Sequence, residues 1–273
     1  MTRINIIKVG GAVVEDGSMR ASLLDSFVAM PGSRLLVHGG GRTATDIASR
    51  LGIETRMADG RRITDAGMLE VVTMVYGGLV NKRIVSELQM RGLNAIGLTG
   101  ADLACIKSHK RPAMEIDYGF VGDVDSVNAD AVGSLLAAGA VPVIAPLSFD
   151  PGCGLLNTNA DTIATAVATA FAQTGSDVTL TFCFEKKGVL GDPADEDSVI
   201  PEITPESYER LKASGVISGG MLPKLDNAFV ALRAGVSQVV ITNAAGLGQC
   251  SGTVVTGRSR MARMLNSADI RKL

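Results

Sequence analysis

The sequence predicts an α/β fold organised on a parallel, doubly wound sheet, and three observations lead there. The run Ile4-Asn5-Ile6-Ile7-Lys8-Val9 is apolar and β-branched and stops on Gly10-Gly11. A second run, Arg34 to His38, stops on Gly39-Gly40-Gly41 and is followed by a helical pattern from Thr43 to Leu51. Strand-like and helix-like segments then alternate along the chain, the order that yields parallel sheets with ligands outside the carboxyl ends of the strands.

Element by element, Leu23, Leu24, Phe27 and Val28 have helical spacing within Ala21 to Met30, which Pro31-Gly32 stops. A polar loop carries Gly60-Arg61-Arg62-Ile63-Thr64-Asp65, where Thr64 or Asp65 can cap a long helix reaching about Met90. That helix is apolar on more than one face, which predicts cover by a second subunit as well as by its own sheet. Asn94 to Leu98 reads as a strand, and Leu103 to Lys107 with Phe120 to Val124 as hairpin-like strands around a basic tip, residues 107–112. Ala129 to Ala138 is a helix stopped by Gly139, and Val141 to Pro146 is a strand imperfectly paired because of its prolines. Asn157-Thr158-Asn159-Ala160-Asp161 opens an alanine-rich helix that ends near Gln173, with Gly175 as its C-cap. Val178 to Phe184 is a strand, Asp192 to Asp197 a solvated acidic turn, and Glu206 to Ser214 a helix. Gly219-Gly220-Met221-Leu222-Pro223-Lys224 opens another helix through Leu232, before strands at Gln238 to Thr242 and Gly252 to Val255. The best boundary between two lobes of one continuous sheet is the Gly175 region.

Composition narrows the function classes. A net charge of −2 and a pI near 5.8 supply no general field for nucleic acid or an anionic membrane, so any anionic ligand must be held by local groups. Tryptophan is absent and aromatics make up 4%, against stacking platforms for single strands. Cys105, Cys153, Cys183 and Cys250 form no CxxC pair, which suits a reducing cytosol. No apolar run approaches the ~18 residues of a spanning helix, and no secretory leader precedes the first strand, so a cytoplasmic protein is expected.

The chemistry-bearing residues cluster at glycine turns. A lysine is almost never buried unpaired, so Lys8 in an apolar strand calls for a carboxylate partner or an anionic ligand. Lys224 lies just beyond Gly219-Gly220, and two cations converging on a transferring phosphoryl group would stabilise its equatorial oxygens. Asp161 reads either as an N-cap or first-turn acid complementing its helix dipole or as the carboxylate that fixes the lysines. Arg62 reads as a solvated loop arginine or as a bidentate carboxylate clamp. The sequence lacks a GxxxxGK[ST] loop, the protein-kinase motifs and GxSxG, and its histidines, His38 and His109, lie far apart. Gly39-x-Gly41-x-x-Ala44 matches a dinucleotide fingerprint, but the acid it needs would have to be Glu54 or Asp59, in segments too polar for that strand.

Taken together, Lys8-Val9-Gly10-Gly11, His38-Gly39-Gly40-Gly41, Gly60 to Asp65, Asn157 to Asp161 and Gly219 to Lys224 resemble, in order and spacing, the amino-acid kinase superfamily, and within it the acetylglutamate kinase family of arginine biosynthesis. The resemblance implies a three-layer αβα sandwich with a mainly parallel open sheet. Residues 1–175 would form the lobe for N-acylglutamate and subunit contact, and residues 176–273 the ATP lobe. It implies transfer of the γ-phosphoryl group of ATP, with Mg2+ held mainly by the nucleotide phosphates, to the side-chain carboxylate of N-acetyl-L-glutamate. N-succinyl-L-glutamate is the alternative acceptor, and a non-catalytic amino-acid or nucleotide sensor the alternative of another class. Carried over motif by motif, Lys8, Lys224 and Asp161 are catalytic, while Gly40, Gly41, Arg62, Asn157 and Asn159 bind the acceptor. Gly10, Gly11, Glu185, Gly188, Gly219, Gly220 and Met221 bind the nucleotide. No metal ligand from the protein, no nucleic acid and no membrane is implied, and a homodimer would form through the helix starting near Thr64. Where the family has a short Thr-Asp-Val-like turn, this chain has Phe182 to Val189, with Glu185 in the acid's place and two lysines that could touch phosphates. The segment from Thr242 to Cys250 also departs from the family pattern. With no extra helix ahead of the first strand, the dimer is expected rather than the arginine-inhibited hexamer. A succinyl carboxylate would need a further cation, for which Lys107, Lys110 and Arg111 are candidates by charge alone.

Overall fold

The computed structural model describes residues 2–58, 60–249 and 251–257, so Met1, Asp59, Cys250 and the 258–273 part of the expected ATP lobe lie outside the described residues. In chain order the elements of the first half are β1 (Arg3–Val9), α1 (Gly11–Glu15), α2 (Gly17–Ala29), β2 (Ser33–His38), α3 (Gly41–Arg50), β3 (Arg56–Ala58), β4 (Arg61–Ile63), α4 (Ala66–Val72), a π-helical segment (Thr73–Val80), α5 (Asn81–Gln89), β5 (Ala95–Leu98), β6 (Ile106–Lys110), β7 (Gly122–Val127) and α6 (Ala129–Ala137). They continue with β8 (Val141–Ile144), β9 (Leu147–Asp150), β10 (Gly154–Asn157), α7 (Ala160–Gln173), β11 (Asp177–Phe184), β12 (Glu202–Ile203), α8 (Pro205–Ala213), α9 (Met221–Arg233), β13 (Gln238–Asn243) and β14 (Thr253–Val255).

The main sheet has eight strands in the order β12-β14-β13-β11-β1-β2-β8-β5, parallel throughout except for the β13–β14 pair. β1 therefore lies at its middle, paired with β11 from Arg3↔Asp177 to Val9↔Cys183 and with β2 on its other side. Because strand side chains alternate, Ile4 and Ile6 join one core with Ile163, Val167 and Phe171 of α7, while Ile7 and Val9 join another under α2, α3, α4 and α5. Lys8 shares the parity of Ile4 and Ile6, which aims it at the α7 side. The sheet runs unbroken through the Gly175 region, where Thr174 is the C-cap of α7 and Gly175 follows in the left-handed conformation (φ +83).

A second sheet, β10-β9-β6-β7, and the β3–β4 hairpin stand beside the carboxyl ends of the main strands. Three sequence expectations change. Leu103 and Ala104 have φ of +57° and +45° and belong to a 3-10 turn, so the hairpin strand starts only at Ile106 and its tip spans residues 111–121. The polar loop around Gly60 is a hairpin rather than a coil, and the single long helix is interrupted by the π-helical segment. Pro142 is tolerated inside the sheet because β8 meets β2 over only Leu36↔Val143 and Val37↔Ile144.

Candidate active site

At the carboxyl end of β1 three charges meet. Lys8 Nζ lies 2.7 Å from Asp161 Oδ1, and Lys224 Nζ lies 3.5 Å from Asp161 Oδ2. Asp161 sits in the first turn of α7, but it is not the cap. Asn159 is, its Oδ1 accepting the backbone N–H groups of Asp161 and Thr162. The cap frees the Asp161 carboxylate for the lysines. Burial by itself would push that carboxyl up, but the charges of Lys8 and Lys224 and their hydrogen bonds hold it below the ordinary carboxylate value. Side-chain exposure runs 10% for Lys8, 12% for Asp161 and 22% for Lys224, so the triad is largely withdrawn from water but open on the Lys224 side. Cys183 stands near Lys8, yet burial pushes its thiol up to about 12, which leaves it an inert neighbour.

The first two glycine turns press together beside this triad. A Cβ on Gly11 would stand 3.4 Å from the backbone N of Gly40 and 3.6 Å from that of Gly41, so the helix starts of α1 and α3 face each other. Gly40 has φ +153°, and Tyr76 and Val80 of the π-helical segment would lie 3.3 Å from any Cβ there. Gly10 contributes differently from the expectation of a phosphate donor: its N–H is given to Cys183 O at 2.9 Å. The turn is anchored from below by His38. Its Nδ1 lies 2.7 Å from Gly39 O, and its Nε2 is 3.2 Å from Asn81 Nδ2, an arrangement that fits the neutral ring with the proton on Nδ1. Burial pushes the His38 pKa down to about 4, against the opposing pull of the Gly39 carbonyl.

A cavity of about 220 Å³ opens over Gly40 and Gly41 and is lined also by Arg62, Asn157 and Asn159, which brings all five predicted acceptor residues to one place. Ala160 and Thr162, the sequence neighbours of Asp161, line it too. Arg62 is buried, with Nη2 on Gly41 O and Thr45 Oγ1, both at 2.8 Å, and Nη1 on Thr55 Oγ1 at 3.2 Å. It is thus a strut of the glycine turn as well as part of the cavity wall. Thr64, completely buried, ties the walls together: its N–H donates to Tyr118 O, its carbonyl accepts from Phe120 N, and its Oγ1 accepts from Asn157 Nδ2 at 2.9 Å. Asn157 therefore spends a donor on Thr64.

Sequence reasoning missed Tyr76 and Arg61 on this wall and Thr64 behind it. Tyr76 lies inside a helix that is apolar on more than one face, Thr64 read only as a candidate helix cap, and Arg61 sits next to the arginine that drew attention. Arg111, weighed only by charge, is also in the wall. It pairs with Asp123 through Nε and Nη2, while its Nη1 is buried without a hydrogen-bond partner among the described residues. Lys107 and Lys110 are not in the lining; Lys110 lies over the Phe120 ring.

A smaller cavity, about 170 Å³, is lined by Phe184, Lys186, Gly188, Val189, Ile217 and Met221 among others, so two of the predicted nucleotide residues, Gly188 and Met221, converge there. Gly188 is required by packing as well, because a Cβ would come within 2.8 Å of Thr253 Oγ1 and Val199 Cγ1. Glu185, Gly219 and Gly220 are exposed and line neither of these two cavities. The acidic turn is exposed throughout and pairs with two lysines, Lys186 with Glu196 at 2.9 Å and Lys187 with Asp197 at 2.6 Å.

The model of the amino acid kinase family matches residues 3–243. The chain is 59% identical over 253 residues to an acetylglutamate kinase of Phocaeicola vulgatus, covering 93% of this chain and 98% of that one. It is 57% identical to an acetylglutamate kinase of Bacteroides thetaiotaomicron, covering 92% and 97%. Among solved structures, smu.665 from Streptococcus mutans UA159 superposes with a TM-score of 0.75 at 27% identity, covering 93% of this chain and 99% of that one.

Proposed function

The chain belongs to the amino acid kinase family, and from that premise we propose that it transfers the γ-phosphoryl group of ATP to the side-chain carboxylate of N-acetyl-L-glutamate, the acetylglutamate kinase step of arginine biosynthesis. The observation that carries the reading is the contact of Lys8 and Lys224 with one buried carboxylate beside two facing glycine turns. The acceptor carboxylate is ionised at neutral pH, so its oxygen attacks the γ-phosphorus without a general base as the bond to the β,γ-bridging oxygen breaks and ADP leaves. Lys8 and Lys224 neutralise the charge that spreads over the transferring group, and Asp161 holds both ammonium groups in place. Gly40, Gly41, Arg62, Asn157 and Asn159 hold the acceptor in the larger cavity. Gly10, Gly11, Gly219, Gly220 and Glu185 border the nucleotide, with Gly188 and Met221 in the smaller cavity.

Mg2+ arrives bound to the nucleotide phosphates. The Asp161 carboxylate is engaged by the two lysines. We divide the roles at residue 175, acceptor lobe before and ATP lobe after. A homodimer would use the helix following Asp65, where Met74 and Leu79 are 53% and 42% exposed. No described helix is long and apolar enough to cross a membrane, and we place the protein in the cytoplasm.

A second acceptor, N-succinyl-L-glutamate, is favoured by one feature. Arg111, although paired with Asp123, lines a cavity that also holds Arg61 and Arg62, and its buried Nη1 has no hydrogen-bond partner among the described residues and so keeps a donor to give. The test is MgATP with each acceptor, reading ADP release and acyl phosphate trapped by hydroxylamine. Turnover of N-acetyl-L-glutamate is expected. Activity confined to the succinyl compound would transfer the assignment to it, and activity with neither would refute the kinase reading.

A further inference from the structure

Gly40 holds the N-cap position of α3 but has no side chain to cap it with. An ordinary N-cap accepts a backbone N–H of the first turn through its side chain, and at position 40 a side chain is barred by Tyr76 and Val80 and by φ +153°. The third residue of that helix, Thr43, nonetheless has an acceptor. Its backbone N–H donates to Glu15 Oε1 at 2.8 Å and its hydroxyl donates to the same atom at 3.1 Å. Glu15 is the last residue of α1, the helix that starts at Gly11 in the opposing glycine turn. Its other oxygen, Oε2, is buried with no hydrogen-bond partner among the described residues.

We infer that Glu15 is a positioning residue for phosphoryl transfer: it caps α3 from the neighbouring helix and so fixes the spacing between the Gly10-Gly11 and Gly40-Gly41 turns. The inference rests on the kinase reading and deepens it. A carboxylate at this point also meets the partial positive charge of the α3 N-terminus, which a neutral Gly40 leaves uncompensated. α1 does not depend on Glu15 for its own place. Arg20 donates to Val14 O at 2.7 Å while pairing with Glu87 of α5, and Asp16 caps α2 through Met19 N–H.

The experiment compares Glu15→Ala and Glu15→Gln in the full chain with MgATP and the N-acylglutamate that wild type accepts. Glu15→Ala is expected to lower kcat roughly 10- to 100-fold, the usual consequence of a misplacement near 1 Å, with KM for ATP and Tm close to wild type. Glu15→Gln keeps an oxygen for Thr43 and is expected to recover kcat to within about threefold of wild type. Amide hydrogen exchange at Thr43, measured without substrate, should speed up in Glu15→Ala and stay protected in Glu15→Gln. Unchanged kcat in Glu15→Ala, a parallel rise in KM for ATP, or a glutamine variant as impaired as the alanine one would overturn the positioning role. If wild type turns over no acceptor, it is the kinase reading that falls, and exchange at Thr43 decides by itself whether the cap exists.

Discussion

The two lysines of the site are held in different ways. Lys8 projects from the central strand of the sheet, fixed on both sides by β11 and β2, and meets Asp161 at 2.7 Å with little exposure. Lys224 projects from the first turn of α9, just after an exposed Gly219-Gly220 pair, and stands 3.5 Å from the same carboxylate with twice the exposure. The contrast extends to their surroundings. Around the larger cavity, Arg62, Thr64, His38 and Glu15 hydrogen-bond the walls to one another, whereas beside the smaller one Lys186 and Lys187 are tied to an acidic turn by exposed ion pairs. One region is fixed by its own hydrogen bonds; the other holds cations on weak, solvent-screened tethers, which on the proposed reading an incoming polyphosphate displaces.

The largest effect that would sharpen this contrast is on turnover. Lys8→Ala is expected to lower kcat by roughly 10²–10³-fold, as losing one donor to the transferring group ordinarily does. Lys224→Ala should lower kcat as well but leave thermal stability nearer to wild type, because Lys8→Ala leaves Asp161 without its closer cation in a buried place. Melting curves and steady-state rates of both variants check this, and equal Tm losses would break the distinction. Next, Gly40→Ala forces a side chain into φ +153° against Tyr76 and Val80 and should cost on the order of 1–3 kcal/mol in urea unfolding, with loss of acceptor turnover. A stable, active Gly40→Ala protein would show that the wall of the larger cavity is not preformed.

A further test uses pH. The folded His38 pKa is lowered to about 4, so between its ordinary value of 6.5 and about 4 the unfolded chain takes a proton that the folded one refuses. Stability should therefore fall as pH drops through that window, by up to about 3 kcal/mol, and level below it. His38→Gln should lack this slope. Asp161 acts lower: its folded pKa lies below 3.8, so its contribution is intact above that value and disappears only on further acidification. The smallest effect concerns the tethers. Glu196→Gln with Asp197→Asn should lower KM for ATP by about twofold without moving Tm, since such pairs are solvated. A raised KM would mean that the acidic turn serves the nucleotide instead of competing with it.

How much of this was readable beforehand follows from how local each signal is. β1, the glycine turns and the Asn157 to Asp161 helix start each carry their own chemistry within a few residues, and the parity that aims Lys8 with Ile4 and Ile6 is a property of any strand. Asp161 was ambiguous between helix cap or first-turn acid and lysine partner, because an acid suits any helix start. Only Lys8 and Lys224, distant in sequence, decide that Asp161 serves the lysines. The π-helical segment was invisible because an apolar run has the same composition whether it turns every 3.6 residues or more slowly. The β3–β4 hairpin lacks alternation, with Arg56, Arg61 and Arg62 in a span of three-residue strands. Glu15 offered no local sign, since a cap supplied by another helix leaves no motif in either sequence.

The central place of β1 has a further bearing on how such a chain is made. Its first strand leaves the ribosome early, yet the neighbour that completes its pairing, β11, begins only at Asp177, and the carboxylate that receives Lys8 is Asp161. At ordinary elongation speeds that is a delay on the order of ten seconds or more during which an apolar strand waits with half its hydrogen-bonding edge vacant. Premature termination anywhere before β11 would release fragments prone to stick to one another, so synthesis of this protein should lean on chaperones until the second half has emerged.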